Sequence, residues 1–323
     1  MISDTIYKRS VLKNIKLSKN IITKPANAAG DAVVISGGTA VSVKTGINAV
    51  IASCNALACA GAKTTVVNAA IVLPRGFDER YLQQLINRLG DQCGLSDAVL
   101  GDVTVTVTGA VNEVIVTATA VGVCGKYSAQ KICPDQNPEY SDMDIVAVGC
   151  IGLDGTRTVL EKYGDEAAKL YTDAFIAKAT ASDEELSVVK SAGIALEAGA
   201  EYLHAAGDGG IFAALWRMSE EIHAGIEVDF RKIPVRQEII EICEIFNINV
   251  YELSSLGCLL MTLHRGYDIV NLFKSKGINA RIIGHTTNSN AKILRTEDEV
   301  RYLEVPRTEE SERIIIDGLD GKR

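Results

Sequence analysis

Two neighbouring stretches of alternating residues constrain this chain more than any other feature. From Ala98 to Thr108, Val103, Val105 and Val107 alternate with Thr104, Thr106 and Thr108, and Glu113 to Val123 keeps a similar period of two. Successive side chains of a strand point to opposite faces, so this pattern makes a sheet with one apolar face and one lined by threonines. A threonine face can meet solvent or a partner sheet. With Gly109-Ala110-Val111-Asn112 between the two runs, the expectation is a hairpin of defined register.

The elements ahead of that pair follow from composition and punctuation. Ala32 to Ile35 and Ala40 to Val43 read as short strands on either side of a Gly37-Gly38 turn. Ile47 to Ala60, rich in Ala and Cys, suits a helix packed closely on a sheet. Thr64 to Leu73 is β-branched and stops at Pro74, which has no N–H to give to a ladder. Asp78 stands as an N-cap candidate before a helix carrying Leu82, Leu85, Ile86 and Leu89 at helical spacing.

The 323 residues exceed one ordinary core and fit two domains of roughly 150 residues each. The segment Gly125 to Asp144, with Pro134 and Pro138, is where the boundary is placed, giving domains 1–140 and 141–323. The second domain alternates elements: strand Ile145 to Gly149, then helices over Gly155–Tyr163, Glu166–Ala177 and Asp183–Ala198. A glycine-rich turn from His204 to Gly210 leads into helix Ile211–Ile222. Strand Gly225–Asp229, helix Arg236–Phe246, strand Cys258–Leu263, helix Gly266–Lys276 and strand Ala280–Gly284 follow. Such alternation makes an α/β or α+β layer structure.

Composition removes several functions. Net charge is −8 and aromatics are 5%, so the basic stripe with stacking rings that nucleic-acid binding needs is missing. No uninterrupted apolar run reaches the roughly 18 residues of a membrane span, and MISDTIYKRS lacks the apolar core of a signal peptide. The eight cysteines sit in apolar segments with no CxxC pair and no His at ligand spacing, which reads as buried reduced thiols and hence a cytoplasmic protein.

Chemistry concentrates at Gly207-Asp208-Gly209-Gly210. Glycine permits positive φ and close approach of a ligand to backbone N–H groups, and the helix that follows aims its partial positive end at the turn. The turn can hold an anion such as phosphate, or it can merely join two elements. Asp31 and Asp102 lie at strand ends where carboxylates can hold Mg²⁺, or serve as turn and cap residues. His204 is a candidate acid–base group beside the turn, or a structural histidine. Thiol catalysis by Cys150 or Cys258 is disfavoured by their apolar surroundings.

These residues carry a family resemblance. Gly152-Leu-Asp-Gly-Thr156, Tyr163-Gly-Asp-Glu166, His204 to Gly210 with Ala213-Ala-Leu-Trp216, Glu227-Val-Asp229, Lys232-Ile-Pro-Val-Arg236, Glu241-Ile-Cys-Glu244 and Ser254-Ser-Leu-Gly257 together resemble the C-terminal domain of the aminoimidazole ribonucleotide synthetase-like superfamily. The branch most resembled holds the carbamoyl-dehydrating hydrogenase maturation factor and synthase-related relatives. Gly30-Asp31-Ala-Val-Val-Ile35, Asn55-Ala-Leu, Gly61-Ala62 and Leu73-Pro74 extend the likeness into the first half.

The resemblance implies a homodimer in which two N-terminal sheets close a barrel, with ATP held near that interface by Mg²⁺ on N-domain aspartates and by glycine-rich turns. It implies ATP-dependent activation of an amide, carbamoyl or phosphate oxygen on a small-molecule or protein-bound substrate. Carried onto this sequence, Asp31 and Asp102 would take the metal, Asn55, Gly207, Gly209 and Gly210 the nucleotide, and His204 and Asp208 the catalytic roles. The chain departs from the pattern at Ala56, where the family carries Asp, in Val41 to Thr45, where another aspartate is replaced, and in the register of Leu100-Gly101-Asp102-Val103. It also ends in Asp320-Gly-Lys-Arg323 in place of the cysteine that carries the carbamoyl group, so that one reaction is not expected. A non-catalytic dimeric assembly or binding protein of the same fold is the rival expectation.

Overall fold

A computed structural model describes residues 33–40 (as backbone), 48–124, 142–296, 299–304, 310, 313 and 314. They fall into two compact units, and residues 183–196 of the second half belong to the unit built by the first half.

In the first unit β1 (Val33–Ala40), α1 (Ala49–Cys59), β2 (Ala62–Pro74), α2 (Glu79–Gly94), β3 (Val99–Thr108) and β4 (Ile115–Cys124) follow one another. The sheet order is β1-β4-β2-β3. The expected β3–β4 hairpin is therefore not formed. β2 lies between the two strands, parallel to β3 and antiparallel to β4. A parallel pair needs a crossover, and α2 supplies it between β2 and β3. Nor does Gly37-Gly38 make a turn: both pair within β1, opposite Thr119 and Ala118 of β4.

The two-faced character of the sheet is observed. Ile71 and Leu73 are buried on the side where Leu57 of α1 and Leu85 and Leu89 of α2 pack, and Val105 and Val107 are their register partners. Val105 and Val107 lie past the helical cover, 43% and 49% exposed. Thr104, Thr106, Thr117 and Thr119 occupy the opposite face by alternation. Asp78 caps α2 as expected, its carboxylate accepting from Arg80 N at 3.0 Å.

The second unit carries β5 (Asp144–Val148), α3 (Leu153–Ala168) and α4 (Asp173–Ala179); α5 (Asp183–Leu186) and most of α6 (Val189–Glu197) pack with the first unit. Then come β6 (Tyr202–Ala205), α7 (Gly210–Ile222), β7 (Gly225–Asp229), α8 (Gln237–Ile245), β8 (Leu259–Leu263), α9 (Gly266–Ser275), β9 (Ala280–Thr287), β10 (Lys292–Arg295) and β11 (Val300–Tyr302). The sheet order is β11-β10-β7-β9-β5-β8-β6. Ile145 and Ala147 of β5 and Leu260 of β8 join Ile211, Leu215 and Met218 of α7 in one core, while Val146, Val148 and Met261 on the other face are equally buried. Both faces of these central strands are covered, which is why they read as continuous apolar runs.

Helix boundaries differ from expectation where capping decides them. The helix expected over Glu166–Ala177 is broken at Thr172, whose hydroxyl accepts from Phe175 N and starts α4. The one expected over Asp183–Ala198 is broken at Val188, whose N–H donates to the side chain of Asn55. Three short strands, β6, β10 and β11, have no clear signal in the sequence. No helix among the described residues is long and apolar enough to cross a membrane.

Candidate functional site

Gly207 to Gly210 link β6 to α7, and two of the glycines are there because nothing else fits. Gly209 is the N-cap of α7 with φ +79°, and Gly210 has φ +68°. A Cβ on Gly210 would lie 2.3 Å from Tyr251 O and 2.8 Å from Leu253 O, so the segment 251–253 presses directly on the backbone of the turn. The turn is also tied to that segment by hydrogen bonds: Phe212 N donates to Tyr251 O at 3.2 Å and Ser255 N to Gly207 O at 3.2 Å. Gly210 N is satisfied locally by Gly207 O. No hydrogen bond engages the N–H groups of Gly207, Gly209 or Ile211 among the described residues. Donors of this kind, at the positive end of a thirteen-residue helix, make a concavity suited to an anion.

The side chains around the turn add charge. Arg217, two turns along α7, donates to Asp208 O at 3.2 Å. The Asp208 side chain is exposed. His204 lies on β6 with Tyr202 two residues earlier on the same face, and Glu221 reaches them from α7. Tyr202 donates to Glu221, and its oxygen lies 3.3 Å from His204 Nδ1. The imidazole is 18% exposed. Burial holds its pKa below 6.5 and Arg217 pushes the same way, against the opposing pull of Glu221. Burial thus favours the uncharged imidazole, which donates at one ring nitrogen and accepts at the other.

The candidates of the first unit stand differently. Asn55 is fully buried in α1 and both ends of its amide are used: Nδ2 donates to Leu186 O at 2.8 Å and Oδ1 accepts from Val188 N at 2.9 Å. The next residue, Ala56, is exposed. Asp102 sits on the edge strand β3 at a bulge where Asn68 Oδ1 accepts its N–H at 2.9 Å, and its carboxylate faces solvent. A Cβ on Gly101 would meet that same Asn68 oxygen at 2.6 Å, which accounts for glycine there. Asp31 lies outside the described residues. Among the described residues no three His, Cys, Asp or Glu side chains come together as metal ligands, so they do not by themselves form a magnesium centre. Cys54, Cys93, Cys150, Cys243 and Cys258 are in no disulfide, and burial pushes Cys258 and Cys243 up to about 12 and Cys93 to about 11. None of these three is a nucleophile at neutral pH.

One functional-looking carboxylate is not singled out by the sequence. Asp154, at the start of α3 and 5% exposed, accepts from Ser254 Oγ at 2.6 Å and from Leu256 N at 2.7 Å. Gly152 N donates to Ser255 Oγ at 2.9 Å. Gly152-Leu-Asp-Gly and Ser254-Ser-Leu-Gly thus form one buried hydrogen-bonded joint behind the glycine turn. Their pairing is the available signal: each motif has small and polar residues that a close backbone approach requires.

Comparison with known proteins agrees with this architecture. Residues 142–297 match the model for the AIR synthase related protein, C-terminal domain. This stretch carries the AIR synthase related C-terminal domain, as the resemblance implied. Among the chain's relatives are a Methanocaldococcus jannaschii protein provisionally named for hydrogenase expression and formation, and the carbamoyl dehydratase HypE of Rhodobacter capsulatus. The first is 23% identical over 251 residues and the second 23% over 256; each alignment spans 76% of this chain and 71% of the relative. A crystal structure of the hydrogenase maturation protein HypE in complex with ATP superposes with a TM-score of 0.66 at 17% identity, covering 94% of this chain and 96% of that one. The mixed α/β fold of the superfamily, expected from the sequence, is therefore the one observed.

Proposed function

We propose that this protein binds ATP, with the phosphates received by the N–H groups of the Gly207–Gly210 turn, and uses it to activate an amide, carbamoyl or phosphate oxygen. The single observation that supports this is the turn itself: left-handed glycines, N–H groups without acceptors at the head of α7, and Arg217 fixed alongside. Asp208, exposed within the turn, and His204, held on β6 beside Tyr202 and Glu221, are the candidates for the catalytic roles in this reading. In this reading residues 1–140 form the nucleotide and dimerisation domain and residues 141–323 the synthetase-like domain. The threonine-bearing face of the first sheet, the side opposite its helices, supports assembly as a homodimer through that sheet. Asp31 and Asp102 are the carboxylates proposed to hold Mg²⁺.

A second reading is favoured by a separate observation. Asn55 is occupied as a brace and Ala56 stands where the family carries a carboxylate, which suits a dimeric binding or assembly protein whose metal site has eroded.

A thermal-shift titration separates the two. A ligand bound only by the native state raises the melting temperature by mass action. Millimolar Mg-ATP is expected to raise it, and Asp31→Ala to remove most of the rise. Because Ala56 is exposed, Ala56→Asp adds a carboxylate without a packing cost, and it is expected to enlarge the magnesium-dependent part of the shift. A flat response to Mg-ATP and to Mg-ADP would leave only the assembly reading standing.

A further inference from the structure

We infer that Glu310, Arg313 and Ile314 form a strap that positions the glycine turn through the segment 247–253. Glu310 is 6% exposed and Ile314 is fully buried. Arg313 grips the Glu310 carboxylate with two bonds, Nε to Oε1 at 3.1 Å and Nη2 to Oε2 at 2.9 Å. The pair then reaches outward to one segment. Glu310 Oε2 accepts from Asn249 N at 3.1 Å, and Arg313 Nη2 donates to Asn247 O at 3.0 Å. Tyr163, at the kink of α3, donates its hydroxyl to Ile314 O at 3.2 Å and anchors the far end.

The segment held in this way continues into the wall of the turn. Asn249 fixes it internally: its Oδ1 accepts from Tyr251 N at 3.2 Å and its carbonyl from Glu252 N at 3.0 Å. Tyr251 O then takes the N–H of Phe212, and the two rings stack at 5.2 Å. Tyr251 O is also the atom a Cβ on Gly210 would strike. The path therefore runs from the buried ion pair, through Asn249, to one donor of the first turn of α7. It settles which donors of that turn are spent on protein and which remain. A bidentate Arg–carboxylate pair out of water, with its remaining sites satisfied by backbone, is a rigid unit whose loss leaves polar groups stranded. Glu310 and Arg313 act through the segment 247–253, so they are positioning residues, and their effect on phosphate affinity rests on the reading of the turn proposed above.

The test is amide hydrogen exchange on the full chain, comparing wild type with E310Q/R313Q and the milder Arg313→Lys, without nucleotide. Peptides covering 207–213 are expected to exchange roughly tenfold faster in the double variant and by a smaller factor in Arg313→Lys, while peptides of α9 on another part of the sheet keep their protection. Unchanged exchange at 207–213 overturns the strap. So does equal acceleration of 207–213 and α9 in both variants, since that reports general loosening. Titration with inorganic phosphate and a non-hydrolysable ATP analogue is run alongside. If wild type binds neither, the phosphate reading fails, while the exchange result still judges the strap.

Discussion

Gly210→Ala is expected to be strongly damaging, costing about 3–5 kcal/mol of stability and abolishing any affinity of the turn for phosphate. Two effects add. The left-handed φ of +68° is strained for any residue with a Cβ, by roughly 1–2 kcal/mol. The new Cβ would also stand 2.3 Å from Tyr251 O and 2.8 Å from Glu252 C, and neither is a side chain that can rotate away. Relief requires the whole 251–253 segment to retreat, which breaks the Phe212-to-Tyr251 bond and reshapes the turn. Gly209→Ala is the control. Its φ is as strained, at +79°, but its Cβ meets only the methyl of Ala213, at 2.8 Å, so its cost should be smaller. Urea unfolding midpoints give the order directly. A Gly210→Ala protein within about 1 kcal/mol of wild type, or no more affected than Gly209→Ala, would show that the 251–253 segment yields freely and does not wall the turn.

The glycine turn is legible in the sequence because its signal is local: glycines crowded at a strand-to-helix junction mark a backbone that needs positive φ or close approach. The buried strands β5 and β8 are legible for a similar reason, as apolar runs of strand length. What stays hidden depends on partners far away in sequence. Alternation in β3 and β4 gives the correct faces but cannot reveal that β2 inserts between them, because two strands joined by a short link look the same whether or not they pair. The edge strand β6 is four residues long and mixes Tyr, His and Ala, so neither a two-residue nor a helical period emerges from it. The joint between Asp154 and Ser254 spans a hundred residues, and each half alone reads as a turn. Asn55 is the sharpest case. The resemblance marks it for the nucleotide, yet the groups its amide meets are 131 and 133 residues further along the chain.

Asn55→Ala is therefore the experiment on which the two functional readings diverge most. If the side chain acts as the brace the geometry describes, its removal takes away two buried hydrogen bonds. It also strands the carbonyl of Leu186 and the N–H of Val188, for a total of about 2–4 kcal/mol. The damage should be local first. Residues 183–196 are fastened to the first unit by this amide, by Gln92 Nε2 donating to Asp183 at 3.0 Å, and by Arg88 at 3.8 Å from Asp183. With the central fastening gone, limited proteolysis should cut that stretch early, before the core of either unit opens. Asn55→Asp sharpens the result. A carboxylate still accepts from Val188 N but turns an oxygen toward the Leu186 carbonyl, so it should destabilise nearly as much as alanine. A residue that chiefly contacts nucleotide behaves the opposite way: both variants would melt and resist protease like wild type in the apo state, and differ only when Mg-ATP is added. An unaltered apo melting temperature in Asn55→Ala would return Asn55 to the nucleotide and strengthen the enzyme reading. A large loss would mean that this chain spends a family ligand on holding its two halves of sequence together.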